Sequence, residues 1–140
     1  MELKAIGTIR TPYRETAPFR PPEDAEGEFV VIVDREYEPG LKDLGQFSHI
    51  IVLFWFDRSQ RSNILVHPPH LGGRESGLFA SRSPNRINKI GINVVKVLRI
   101  EGNRVYTSPM DILDGSPLLD IKPYIPDLDC HPSATKGHTP

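Results

Sequence analysis

Proline and glycine punctuate this chain too often for a long helix to form. Fourteen prolines and 11 glycines are spread along 140 residues. Each proline fixes φ and removes a backbone donor, so helix interiors exclude it. Between these breaks lie short runs rich in β-branched and aromatic residues, the composition of strands. The clearest is SHIIVLFWF at 48–56, whose continuous apolarity predicts a strand covered on both faces. Residues 3–9 and 29–33 predict two earlier strands, and residues 36–44 a helical turn interrupted by Pro39-Gly40. GLFAS at 77–81 predicts a short strand. GINVVKVLRI at 91–100 alternates, and Gly102-Asn103 turns it into residues 104–107, which predicts a β-hairpin. A last short strand is expected at 118–121, and from Pro126 the chain reads as a fraying tail. Short strands joined by turns suggest a barrel or a sandwich. Strands do not alternate with long helices, which argues against a doubly wound nucleotide-binding sheet.

The length suits one domain with one core. Seventeen Lys and Arg stand against 18 Asp and Glu, a formal charge of -1. That balance gives no global basic field, so any nucleic-acid contact must come from a local patch. The single cysteine, Cys130, excludes an internal disulfide and suits a reducing compartment. The N-terminus lacks an apolar signal core, and the most apolar run is too short to span a bilayer, so the expected location is cytoplasmic with no membrane association. His49, His67, His70, His131 and His138 lack a metal-ligand spacing and read as solvated loop histidines; no metal is expected.

Two stretches concentrate chemistry. HPPHLGGRESGLFASRSPNRINKIG at 67–91 carries Arg74, Arg82 and Arg86 among glycines and turn residues. Such a loop suits a carboxylate or phosphate, or equally a salt-bridged surface. DILDGSPLLDIKPY at 111–124 holds Asp111, Asp114 and Asp120 near a tight turn. Lys122 and Tyr124 follow Asp120 at alternate positions, and on an extended segment the three share a face. They can serve as acid–base groups, or the stretch can be a turn set by Asp114-Gly115 with Lys122 in an ordinary ion pair.

Taken with IGTIRTPY at 6–13 and FSHIIVLFWF at 47–56, these stretches resemble the TsaA-like family, also called TrmO or VirR-like. The signatures PPHLGGRESGLFASRSPNRINKIG and DILDGSPLLDIKPYIP are long and specific, and the resemblance spans most of residues 6–126. It implies a mainly β fold: a compact antiparallel β-barrel over 1–126 with few short helical turns, then a polar tail at 127–140. It also implies an often dimeric protein that binds S-adenosylmethionine and methylates N6 of threonylcarbamoyl-adenosine beside the tRNA anticodon. By motif, Arg82 becomes the main cofactor contact, accompanied by Arg20, Pro21 and Pro22, by Phe56 and Asp57, by Ile92, and by Ser116, Pro117 and Leu118 through backbone atoms. Asp120, Lys122 and Tyr124 become the groups around the reacting amine, and Arg10, Arg74, Arg86 and Lys89 contacts to the anticodon-loop phosphates. Two departures stand out. The family's RPNPIG is here RINKIG, a loop expected to be looser and to gain a charge at Lys89, and its aromatic–histidine pair is here Phe56-Asp57. Other outcomes standing beside it are a cofactor-binding protein without transferase activity, a methyltransferase with another substrate, and a purely RNA-binding or scaffold β-barrel.

Overall fold

The computed structural model describes residues 1–137; the expectations for His138 and the end of the tail lie outside the described residues. In chain order the strands are β1 (Gly7–Arg10), β2 (Val30–Val33), β3 (His49–Trp55), β4 (Leu65–Val66), β5 (Ser76–Gly77), β6 (Ile90–Glu101), β7 (Arg104–Thr107) and β8 (Ser116–Pro123). Short 3-10 turns lie at Arg35–Leu41, Leu44–Gln46, Pro69–Leu71 and Leu78–Ala80, and one helical turn, α1, at Pro126–Asp129. The chain is therefore mainly β with few helical turns. It gathers into two compact units, one of Met1–Trp55 with Ile92–Tyr124, the other of Phe56–Gly91 with Ile125–Pro140. Among the described residues no helix is long and apolar enough to cross a membrane.

The first unit holds the large sheet. Its hydrogen-bonded order is β1-β2-β7-β6-β3-β8, and β8 pairs again with β1. The hairpin expected at 91–107 is present as β6 and β7, with Gly102 at φ +59 in its turn, where an L side chain is strained. The core is built from alternate residues of facing strands: Ile9, Val31, Ile50, Val52, Val105 and Leu118 are completely buried, joined by Met110 and Ile112 from the connection before β8. Each such side chain contributes about 1.5–3 kcal/mol by leaving water. Gly7 is a close-approach position, since a Cβ there would lie 2.0 Å from the Ile32 carbonyl oxygen.

Two expectations for strands need correction. The apolar run at 48–56 is not covered on both faces: Ile50, Val52 and Phe54 are buried, whereas Ile51, Leu53 and Trp55 are half-buried. The segment GLFAS is not a strand. β5 stops at Gly77, and the Ser81 hydroxyl donates to the Leu78 carbonyl at 2.7 Å, closing a 3-10 turn that drives Leu78 inward.

In β8 a bulge decides which side chains face out. Phe54 pairs with Leu118, but Leu53 pairs with Asp120, leaving Leu119 as an extra residue. Beyond it Ile121 lies opposite Val52, and Lys122 opposite Ile51. Strict alternation from the buried Ser116 and Leu118 would have turned Asp120 and Lys122 toward the core. One additional residue moves both to the outer face.

The second unit contains the two-stranded pair β4 and β5, with Leu65 opposite Gly77 and Val66 opposite Ser76. β4 lies outside the strands expected from the sequence. Val66, Leu71 and Leu78 form its buried apolar centre. The tail is ordered at its start, where the Asp129 carboxylate accepts the Ile125 N–H at 2.8 Å over α1.

Candidate functional site

The segment 78–91 of the second unit is shaped by hydroxyls that bond backbone two residues onward, the chemistry that makes serine a turn residue. Ser81 Oγ accepts from the Ser83 N–H at 3.3 Å, and Ser83 Oγ from the Asn85 N–H at 3.1 Å. The turn presents the carbonyls of Ser81 and Ser83 to the half-buried Arg86, whose guanidinium donates to them at 2.9 and 3.3 Å. Arg86 thus braces the loop. Arg82, four residues earlier, is exposed, and among the described residues its guanidinium has no partner. Of these two arginines, the loop consumes one and leaves the other free for an anion.

Lys89, the charge gained in RINKIG, is engaged within the loop. Its ammonium donates to the carbonyls of Arg61 and of Arg86, the latter at 3.0 Å, and lies 3.5 Å from Ser59 Oγ. The Lys89 carbonyl accepts the Phe56 N–H at 2.8 Å, and the Asn85 side-chain oxygen accepts from Ser59 Oγ at 2.8 Å. A cation with several oxygen acceptors ties residues 59, 61 and 86 together. Arg86 and Lys89, expected to reach phosphates, are therefore structural. Gly72 and Gly73 both take positive φ, and the rings of His67 and His70 lie at hydrogen-bond distance from the carbonyls of Gly73 and Ala80, at 3.1 and 2.9 Å. These histidines are bonded, not merely solvated. Among the described residues no group of three or more His, Cys, Asp and Glu converges as a metal site would require.

A hollow of about 440 Å³ opens in this unit between Phe79, Arg86, Ile87, Asn88 and Ile90. Phe79 is 86% exposed on the turn after β5. The exposure of Phe79 follows from the 3-10 turn at Leu78–Ala80, which stands where a short strand was expected. Phe56 is half-buried, and the exposed Asp57 pairs with Arg58 at 3.1 Å.

In the first unit the three carboxylates of 111–120 do not cluster; each has its own partner. Asp111 accepts from the Asn93 amide at 2.7 Å. Asp114 accepts the Thr11 N–H at 3.1 Å and pairs with Arg10 at 3.5 Å, fastening the turn to the end of β1. Arg10 is thereby engaged as well. Asp120 holds the Lys122 ammonium at 2.8 Å with one oxygen and the Ile121 N–H at 2.9 Å with the other. The hydrogen bond and charge of Asp120 raise the Lys122 pKa above its usual 10.5, so this lysine stays cationic. Tyr124 follows the strand. Its N–H donates to the His49 carbonyl at 3.0 Å, and its ring lies 6.2 Å from the His49 ring, tilted by 60°. His49 is therefore a strand residue beside the expected acid–base row, not a loop histidine.

The other expected cofactor contacts divide by exposure. Ser116 and Leu118 are buried, and their strand pairs with β1 through Ile9 and Gly7. The Leu118 carbonyl accepts the Ile6 N–H at 2.9 Å. Pro117 is half-buried and Ile92 is 41% exposed on β6. Arg20 is exposed at φ +51, an uncommon backbone state for a non-glycine residue, with its guanidinium 5.4 Å from the ring centre of Phe19; Pro21 and Pro22 follow it.

Comparison with known proteins supplies the family. Residues 8–130 match the model described as tRNA-methyltransferase O N-terminal domain. An S-adenosyl-L-methionine-binding protein of Archaeoglobus fulgidus is 40% identical over 93% of this chain and 94% of its own length. A longer protein of that organism, a probable S-adenosyl-L-methionine-binding protein, is 42% identical over 98% of this chain, which spans 37% of it. The mouse tRNA (adenine(37)-N6)-methyltransferase is 46% identical over 66% of this chain and 22% of its own length. The crystal structure of TrmO from Pseudomonas aeruginosa superposes with a TM-score of 0.80 at 32% and 30% identity in two determinations; in the second, 98% of this chain covers 62% of that one. With the family model matched over nearly all of its length, this chain belongs to the tRNA-methyltransferase O N-terminal domain family.

Proposed function

We propose that this chain binds S-adenosylmethionine and transfers its methyl group to N6 of threonylcarbamoyl-adenosine beside a tRNA anticodon. The observation that carries this reading is the family match over residues 8–130, which takes in every candidate site residue from Arg20 to Tyr124. The donor set fits such a ligand: the unpartnered Arg82 guanidinium suits the methionine carboxylate, and Asp57 suits an amine or ribose hydroxyl. Arg20, Pro21, Pro22, Phe56, Ile92, Ser116, Pro117 and Leu118 complete the proposed contacts. The six-stranded sheet acts as a closed barrel, a reading supported by the pairing of β8 with both β1 and β3. The protein works as a cytoplasmic homodimer; support for pairing is the apolar stripe of Ile92, Val94 and Leu98 on β6, 41%, 49% and 57% exposed.

A sulfonium supplies an already activated methyl group, so the chain's task is alignment and proton handling. Ideal alignment contributes about 7–11 kcal/mol of barrier reduction. The acceptor nitrogen is poorly nucleophilic because its lone pair is delocalised, and the attached carbamoyl group makes its proton more acidic. Asp120 takes that proton as the first choice of base, with Tyr124 second. Lys122, held cationic by Asp120, stabilises charge on the carbamoyl oxygen.

The test is calorimetry with S-adenosylmethionine, then transfer of labelled methyl to tRNA carrying the threonylcarbamoyl group. The expected result is binding that Arg82→Ala weakens at least tenfold, and transfer that Asp120→Asn slows. No measurable cofactor binding by the wild-type chain overturns the reading. A second reading, cofactor binding without transfer, is favoured by the archaeal relative of matching length, whose name records binding alone. Binding with no transfer to any tRNA supports it.

A further inference from the structure

The longer segment of the second unit, 56–91, is strongly basic, and with Asp127, Asp129 and Lys136 of its other segment the unit's sequence carries +3. Between Phe56 and Gly91 the cations are Arg58, Arg61, Arg74, Arg82, Arg86 and Lys89, against Asp57 and Glu75: six minus two gives +4, in a chain whose total is -1. Two of the six are structural braces, as described above. Arg61 and Arg82 are exposed, and among the described residues their guanidinium groups have no partner. On this basic unit stands Phe79, 86% exposed, three residues before Arg82. A phenyl ring left in water loses the benefit of burial, and this one is offered by a rigid base: Leu78 beneath it is 2% exposed, and the turn is closed by Ser81. Beside the ring, the hollow of about 440 Å³ adds the apolar side chains of Ile87 and Ile90 and the amide of Asn88, a donor and acceptor together.

We propose that Phe79 is a stacking platform for a nucleobase of single-stranded RNA, with Asn88 at the base edge and Arg61, left free by the cofactor reading that engages Arg82, neutralising an adjoining phosphate. Charge complementarity selects the occupant. An apolar protein segment has no use for a local charge of +4, whereas an unstacked loop nucleotide brings both a π-face and a phosphate. The inference rests on the tRNA reading above and deepens it by naming the residue that grips the loop.

The probe is an anticodon stem-loop RNA with 2-aminopurine substituted in turn at each loop position. Base–aromatic stacking weakens by about 5- to 150-fold in affinity when the ring is truncated to alanine. Phe79→Ala is expected to lose at least fivefold in RNA affinity and to abolish the fluorescence quenching of one loop position. Phe79→Trp restores both. Phe79→Leu, which keeps apolar bulk without a ring, does not. Because the side chain is almost wholly exposed, these variants are expected to melt with the wild type. Equal RNA binding by wild type and Phe79→Ala overturns the assignment and leaves the tRNA reading standing. No RNA binding by the wild type defeats both. Loss of S-adenosylmethionine affinity in Phe79→Ala with RNA affinity unchanged assigns the ring to the cofactor's adenine and overturns the proposal, as does a change in oligomeric state that accounts for the loss.

Discussion

Two single-residue deletions in β8, two positions apart, should have opposite consequences. Deleting Leu119 removes the extra residue of the bulge: Leu118 still pairs with Phe54, and Asp120 follows directly opposite Leu53. The register beyond is preserved, and Asp120 and Lys122 still face outward. The loss is one half-buried leucine and some local twist, about 1–2 kcal/mol. Deleting Ile121 shortens the strand equally but leaves no harmless solution. Either the bulge is absorbed and Asp120 turns inward opposite Val52, or it persists and Lys122 takes that place. Val52 is completely buried, so a charge separated from its partner enters the core, at about 3–5 kcal/mol. Against a typical total of about 5–15 kcal/mol this brings the protein close to unfolding. Urea titration followed by Trp55 fluorescence reads the difference. With a slope of about 1–3 kcal/mol per molar, the Ile121 deletion should lower the midpoint by 1 M or more, and the Leu119 deletion by clearly less. Equal destabilisation by the two deletions would refute the claim that the bulge exists to orient Asp120 and Lys122.

Three further outcomes follow from single contacts. Gly7→Ala places a methyl group against the Ile32 carbonyl and should destabilise by about 1–3 kcal/mol or more in the same titration, although alanine is ordinarily tolerated in a strand. Lys122→Met should lower the melting temperature at neutral pH. Since the folded-state pKa of Lys122 is raised above 10.5, the stabilising pair is fully present below that value, and the difference between variant and wild type should shrink as pH rises through the folded pKa. Lys89→Ala should speed amide exchange at Phe56 and Asn63, whose N–H groups bond the Lys89 and Asn85 carbonyls, by an amount equivalent to about 1–3 kcal/mol of local stability; unchanged exchange would mean that the lysine is not a brace.

The hairpin of β6 and β7 was readable because its signal is local: an alternating run, then Gly102 where positive φ is needed. The shared face of Asp120 and Lys122 was readable for the same reason, since residues two apart on a strand share a face wherever the strand lies. Which face they share was not, because the run Ser116, Leu118, Asp120, Lys122 keeps one parity and only the pairing with β3 introduces the extra residue. The arginine loop shows the same boundary between local and non-local causes. Arg82 and Arg86 are alike in type, and Arg82 is the one flanked by serines on both sides, yet the Ser81 and Ser83 carbonyls turn toward Arg86 alone. Lys89, which reads as an added surface charge, finds oxygens from residues 59, 61 and 86, a set that sequence order does not bring together. A cation's freedom to bind a ligand is thus fixed by which carbonyls its own loop leaves unsatisfied. A search for binding residues in such a loop gains more from counting orphan acceptors around each arginine than from counting arginines. By that criterion Arg82 and Arg61 are the side chains whose removal should weaken anion binding, while removal of Arg86 or Lys89 should first be felt as lost order.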